Sequence, residues 1–411
     1  MKTPSHAPDG SMRILIALNA YEEDGPGNLV LRLCQRWKPL QDVDVDTVAL
    51  SRGGPLQQRL RDMGISAHVV PTRGVLGLTR LRDWMKQLIE GPRRPDVVHS
   101  HLLWPDLAMR VVQDELKRKG IPLVSTCHGL HAAGEKGLLG RVAYNTAERL
   151  TRDRCAAWAA VSEATRDGML RAGYPKDRVY LIRNGVDCVQ TYPLSDNRKA
   201  EMRGVLNVPV GAPLIGAVGN LRTLKGHDVL LRAMPAILEQ HPRTQLLIVG
   251  EGPERGPLLA LARSLGVAEH VRLVGHLSVM VSQVIASLDV LVHPSRIEAF
   301  GLVVAEAQAS AVPVVCSRVG GLPEALRDGE TGFLVAPDAP GEIAERVGRL
   351  LASGELRELM GRAGREFVND EREVGNAAEA YLELYRKVAG WGPDRRIFPR
   401  SEAAPVEAGR A

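Results

Sequence analysis

Residues 293–306 read His-Pro-Ser-Arg-Ile-Glu-Ala-Phe-Gly-Leu-Val-Val-Ala-Glu, and this stretch decides how the rest of the chain is read. It follows a short apolar, β-branched run, Asp289-Val-Leu-Val-His293, which predicts a buried parallel strand. From Gly301 to Ser310 there is no further Gly and no Pro, and apolar residues recur on a helical spacing, so a helix starts near Gly301. The loop between strand and helix carries one carboxylate, Glu298, and a glycine that lets backbone approach a ligand closely. A second carboxylate, Glu306, falls inside the helix. A helix start offers free N–H groups and the positive end of a dipole, which suit a phosphate. Carboxylates beside it can accept hydrogen bonds from hydroxyls. A nucleoside diphosphate sugar satisfies both requirements.

Two glutamates eight apart, with Phe300-Gly301-Leu302 between them, resemble the signature of the retaining glycosyltransferases of family 4. The resemblance implies the GT-B fold, an α/β architecture of two Rossmann-like, doubly wound parallel-sheet domains facing across a cleft. It further implies that Glu298 holds the hydroxyls of the donor sugar and Glu306 the nucleotide ribose. Phe300, Gly301 and Leu302 then belong to the donor-binding loop.

Composition agrees with a soluble two-domain protein. The 411 residues are enough for two sizeable cores, and 45% hydrophobic with 25% charged residues is ordinary for a globular chain. Aromatic residues make up only 4%, which argues against a carbohydrate platform of stacked rings. The net charge of +5 is concentrated in the first half, whose partner is therefore expected to be anionic. It is too modest for nucleic-acid binding, for which no recognition motif is present. Five scattered cysteines without a Cys-x-x-Cys pair point away from zinc and disulfides and toward a reducing cytoplasm. No run of 18 apolar residues predicts a membrane span, and Met1 to Ser11 lacks the apolar core of a secretory signal.

In chain order, residues 13–20 predict a first buried strand, followed by Asp24-Gly-Pro-Gly-Asn28 and a helix from Leu29 to Trp37. Strand, glycine loop and helix is the order of a phosphate-cradling half, although neither Gly-x-Gly-x-x-Gly nor a P-loop is present. By resemblance, Gly25 and Gly27 match the family's first glycine-rich loop, which faces the donor phosphates. Asp42-Val-Asp-Val-Asp46 contains two Asp-x-Asp units. Its strict alternation predicts an outer strand with one acidic, solvated face rather than a metal site. Residues 73–94 place Leu78, Leu81, Trp84, Met85 and Leu88 on a helical spacing among basic residues. That pattern fits a surface helix packed on its own sheet, or one resting on an anionic membrane surface.

Asp96 to His101 and Leu123 to His128 predict strands with polar ends, where ligands of open α/β sheets collect. His99 and His101 are expected in hydrogen-bonded structural roles. His128-Gly129 matches the family's His-Gly, which implies that the His128 imidazole reaches the donor sugar. Residues 156–162 and 179–185 predict two more strands, the second closing in the turn Asn184-Gly-Val-Asp187.

Beyond a polar linker, six strand-like runs (213–220, 244–252, 271–277, 289–295, 312–317 and 332–337) alternate with helical stretches. The first runs into Gly219-Asn-Leu-Arg222-Thr-Leu-Lys225-Gly226, whose cations can neutralise a diphosphate. Lys225-Gly226 matches the family's Lys-Gly; the family's arginine position is Asn220 here, with Arg222 as the nearby substitute.

The expected organisation is a disordered extension (1–11), an acceptor-side domain (12–190), a linker (191–211) and a nucleotide-sugar domain (212–375). A helix crossing back to the first domain (376–390) and a mobile tail (391–411) follow. The expected function is sugar transfer from a UDP- or GDP-linked donor to a sugar or lipid-linked acceptor, including a polysaccharide precursor of the cell envelope. It calls for no cofactor and no metal. The expected location is the cytoplasm, including the inner face of its membrane. An epimerase or hydrolase of the same fold, or a non-catalytic donor-binding subunit, are the alternatives.

Overall fold

The structure, a computed structural model, describes residues 10–129, 138–277 and 280–391. The expected extension over residues 1–9 and tail over residues 392–411 lie outside the described residues. Among the described residues, thirteen strands form two sheets. The first holds β1 (Met12–Ala20), β2 (Val43–Arg52), β3 (Ser66–Val69), β4 (Val97–His101), β5 (Leu123–Cys127), β6 (Ala157–Ala160) and β7 (Val179–Leu181), in the order β3-β2-β1-β4-β5-β6-β7. The second holds β8 (Leu214–Val218), β9 (Gln245–Val249), β10 (Val271–Gly275), β11 (Val290–His293), β12 (Val314–Ser317) and β13 (Gly332–Val335), in the order β10-β9-β8-β11-β12-β13. In each sheet the order reverses beside the first strand, between β1 and β4 and between β8 and β11. Such a reversal opens a crevice at the carboxyl ends of the strands, where ligands bind in open α/β sheets.

The described residues form two compact units. One contains those up to Thr126, Val142–Trp158 and those from Ala378 onward; the other contains those within Cys127–Arg141 and Ala159–Ala377. Residues 159–190, read from sequence with the first half, thus fall in the second unit.

In the second unit each strand sends alternate side chains to opposite faces, and both faces are covered. Ile215, Ala217, Ile248, Val290 and Val292 join the core under the helix His227–Gln240. Leu214, Leu247, Leu291, Val314 and Cys316 join a second core with Val304 and Ala307 of the helix Leu302–Ala309. Burial on both sides is why these strands read as continuous apolar runs. The helix Leu302–Ala309 also packs Ala305 and Ala309 against Phe367 and Val368, so it has no polar face for most of its length.

In the first unit, the part of the C-terminal helix Val374–Ala389 from Ala378 onward lays two buried tyrosines against the sheet. The Tyr385 hydroxyl is 2.6 Å from His99 Nδ1, Thr126 Oγ1 is 2.7 Å from His99 Nε2, and the Tyr381 hydroxyl is 3.0 Å from Thr126 Oγ1. His99 therefore has the structural role expected of it. Trp37 Nε1 donates to the Ala378 carbonyl at 3.1 Å.

Two sequence expectations change. The acidic alternation at 42–46 lies in β2, which is not an outer strand: it pairs with both β1 and β3. Nor is the acidic face simply solvated, because Arg93 donates to both oxygens of Asp46, at 2.9 and 2.7 Å, and to Asp44 at 3.2 Å. The true edge, β3, is four residues long, too short for its alternation to stand out. The helix Gly74–Glu90 buries Leu81, Met85 and Ile89, while Arg82 and Lys86 both pair with Glu115.

Replacing Tyr385 by Phe strips a buried histidine nitrogen of its partner, which costs about 1–3 kcal/mol. Urea denaturation of Tyr385→Phe is expected to show that loss at unchanged slope; a midpoint equal to wild type would remove the tether role.

Candidate functional site

The loops leaving β8 and β11, the strands flanking the reversal of the second sheet, carry the residues that the sequence singled out. After β8 the chain turns through a single 3-10 turn, Thr223–Lys225, into Gly226. Gly226 has φ +66°, and a Cβ there would stand 2.0 Å from the Pro294 carbonyl oxygen, so only glycine lets this turn lie directly on the loop after β11. That contact delivers Lys225 Nζ to 2.6 Å from Glu298 Oε2.

Glu298 is the best-connected acid of the site. His293, at the end of β11, donates from Nε2 to Glu298 Oε2 at 2.8 Å, and Ser295 Oγ lies 3.1 Å from the same nitrogen. The Ala299 amide donates to Glu298 Oε1 at 3.3 Å, and the Glu298 carbonyl accepts from the Gly321 amide at 3.1 Å. Burial opposes ionisation of Glu298, but the His293 hydrogen bond and the Lys225 charge outweigh it and hold the carboxyl well below the usual range. Burial in turn lowers the His293 pKa despite the carboxylate beside it. A carboxylate can only accept, so the His293 proton sits on Nε2 and the imidazole serves as a neutral donor.

The helix Leu302–Ala309 opens beside this acid. Its N-cap, Gly301, has φ +87°, and a Cβ on it would stand 3.7 Å from Glu298 Cγ. His128-Gly129, just past β5, meets the same loop: a Cβ on Gly129 would be 3.3 Å from that of Ala299. Burial pushes the His128 imidazole down to about 4, so it is neutral at physiological pH. Lysine, carboxylate and helix start thus gather at the carboxyl ends of β8 and β11. Such a set can take an anionic group and a hydroxyl-rich one side by side.

The other predicted residues are placed as follows. Arg222 is exposed at the start of the 3-10 turn. The Phe300 side chain is buried, and Leu302 packs against the small cluster around Val186 and Phe367. Glu306 is half-buried, one turn into the helix. Gly27, in the first unit, lies within the first turn of the helix Gly25–Trp37 rather than in a loop before it. Its amide donates to the capping carboxylate of Asp24 at 2.9 Å.

Sequence reading missed His293 and Ser295 as partners of Glu298. The one available signal was a histidine ending an apolar strand at the ligand-binding edge of a sheet. It also missed His227, the first residue of the helix His227–Gln240, which is 3% exposed. Burial, with His293 and Lys225 nearby, lowers its pKa to about 4.

Between pH 6.5 and 4 the unfolded chain protonates His227 while the folded chain does not. The unfolded state then binds more protons, and stability attributable to neutral His227 falls as pH falls, by up to about 1.4 kcal/mol per pH unit. The stability difference between wild type and His227→Asn, from urea titrations, is therefore expected to shift against wild type as pH drops from 6.5 to 4. A difference independent of pH would refute the assignment.

Comparison with known proteins fits this geometry. The family described as Glycosyl transferases group 1 matches residues 198–367, and the one described as Glycosyltransferase Family 4 matches residues 24–190. The alpha-maltose-1-phosphate synthase of Mycolicibacterium smegmatis is 30% identical over 405 residues, covering 92% of this chain and 100% of that protein. The D-inositol 3-phosphate glycosyltransferase of Actinosynnema mirum is 37% identical over 292 residues, covering 66% of this chain and 67% of that one. Among solved structures, Anabaena HepE in complex with UDP-glucose aligns with a TM-score of 0.78 at 20% identity, over 92% of this chain and 100% of that one. The fold of this chain is GT-B, and the chain belongs to glycosyltransferase family 4.

Proposed function

We propose that this glycosyltransferase moves a sugar, with retention of anomeric configuration and without a metal ion, from a UDP- or GDP-linked donor to a sugar or lipid-linked acceptor. The observation that carries the reading is the 2.6 Å approach of Lys225 to Glu298 beside the start of the helix Leu302–Ala309. Anabaena HepE, of like fold, has been solved with UDP-glucose, which supports a nucleotide-sugar donor. The names of the two relatives each include a phosphorylated sugar or polyol, which supports an anionic acceptor of that kind.

In this reading the bond from the sugar to the diphosphate breaks through an oxocarbenium-like transition state. Negative charge grows on the departing phosphate, where Lys225 and the amides at Gly301 and Leu302 stabilise it. Glu298, ionised in the free protein, accepts from sugar hydroxyls and fixes the ring, while Glu306 takes the ribose hydroxyls. Neutral His128 adds a hydrogen bond to the sugar without adding a charge that would compete with Lys225 for the leaving group. No cofactor enters the reaction.

Among the described residues, no helix is long and apolar enough to cross a membrane. Docking of the segment 73–94 on an anionic surface would fall to Arg73, Leu76 and Arg80, which are exposed, because Arg82, Lys86 and Arg93 are already paired with acids.

A panel of UDP- and GDP-sugars with phosphorylated and lipid-linked acceptors tests the reading. Glu298→Ala and Lys225→Ala are each expected to lower kcat about a hundredfold or more with the fold intact. EDTA should leave the rate unchanged, and proton NMR of the product should show the donor's anomeric configuration. Near-wild-type rates in both variants would overturn the roles assigned here. Donor turnover with equal efficiency in the absence of any acceptor would favour the hydrolase or epimerase alternative.

A further inference from the structure

Arg296 lies two residues before Glu298, outside the pair of acids and their intervening Phe-Gly-Leu, and its side chain is turned toward the loop that bears Lys225. Its Nη1 donates to the Thr223 carbonyl at 2.6 Å and to Asp228 Oδ1 at 2.8 Å, its Nη2 to Asp228 Oδ2 at 2.8 Å, and its Nε to Asp338 Oδ1 at 2.7 Å. Its own amide donates to the Leu224 carbonyl at 2.8 Å. Two successive carbonyls of the turn Thr223–Lys225 are thus held by one residue, and the same guanidinium grips the first turn of the following helix through Asp228.

We infer that Arg296 is a positioning residue: it staples the lysine-bearing turn to the glutamate-bearing loop and so sets the separation of Lys225 and Glu298. The inference rests on the donor-binding roles proposed for that pair. A single 3-10 turn has few internal hydrogen bonds, and here Lys225 N and Gly226 N donate to Arg222 O and Thr223 O at 2.9 and 3.2 Å. Its placement must come from outside, and a planar guanidinium supplies several donors in one fixed fork. The fork is bidentate on Asp228, a geometry a lysine cannot reproduce. Asp228 and Asp338 supply the negative charge that offsets the guanidinium, so Arg296 itself does not act as a second cation for a leaving diphosphate.

The test combines a crystal structure with a double-mutant cycle. In donor-free Arg296→Gln, the Lys225–Glu298 contact is expected to open beyond about 4 Å, the limit for an ion pair. With the donor identified by the panel, kcat of Arg296→Gln should fall about tenfold or more, as expected for a misplaced group, while KM for the acceptor is unchanged. The double variant Arg296→Gln/Glu298→Gln should be no slower than Glu298→Gln alone, because both changes act through one contact. A contact still closed in Arg296→Gln, or losses that simply add, would overturn the inference. Where Arg296→Gln does not fold, Asp228→Asn keeps Arg296 in place with a weakened partner, and the same measurements decide. Should wild type transfer from no nucleotide sugar, the functional reading fails, while the crystallographic measurement still judges the staple.

Discussion

The contact between Lys225 and Glu298 is the point on which the second unit turns. It joins loops from the two strands that flank the sheet's reversal, so it can form only if β8 and β11 are neighbours, although more than seventy residues separate them. The pair is nearly enclosed, with side-chain exposures of 21% and 14%. Removing one partner from such a pair leaves the other charge without compensation, so the local architecture is committed to keeping both. His293 strengthens the acid with a hydrogen bond while remaining uncharged, and the ligand-free site stays close to neutral. In the proposed reading, a donor would bring its negative charge to a lysine already held in place and its hydroxyls to an acid already ionised. Such preorganisation spares reorganisation at the moment of reaction.

Close packing of backbone is what makes the contact possible. Gly226 brings the lysine turn onto the Pro294 carbonyl, and Gly321 donates to the Glu298 carbonyl from a third loop. The helix behind these loops is apolar on nearly every side and is clamped between the sheet and the helix Gly354–Glu371. The loops that carry Lys225 and Glu298 are therefore set on a rigid base, the arrangement a positioned chemistry needs. In the first unit the comparable anchoring is polar: His99, Thr126, Tyr381 and Tyr385 share a buried hydrogen-bond chain between the sheet and the C-terminal helix. Each member of such a chain must be satisfied, which ties the helix to one register.

Much of this was legible in the linear chain. The parallel strands announced themselves because both faces are buried, so Arg-Ile-Leu-Ile-Ala-Leu and Val-Leu-Val need no polar alternation. Lys225, Glu298 and His128 stood at the ends of such strands, where α/β sheets gather ligands. The acidic strand at 42–46 misled because its charge is neutralised by Arg93, a residue far along the chain whose partner no local pattern reveals. Gly27 was read in a phosphate loop, yet a capping aspartate three residues earlier draws it into the helix.

By itself, then, the sequence determined the two wound sheets, the helix start at Gly301 and the strand-end positions of Glu298 and Lys225, because periodicity, turn glycines and strand-end chemistry are local. Only the tertiary structure decided that His293 and Ser295 serve Glu298, that His227 is enclosed without charge, and that Arg296 turns to the lysine-bearing turn. Those facts depend on which distant backbones touch. Hydrogen-bond partners and desolvation are fixed when the loops meet, and no spacing along the chain encodes that meeting.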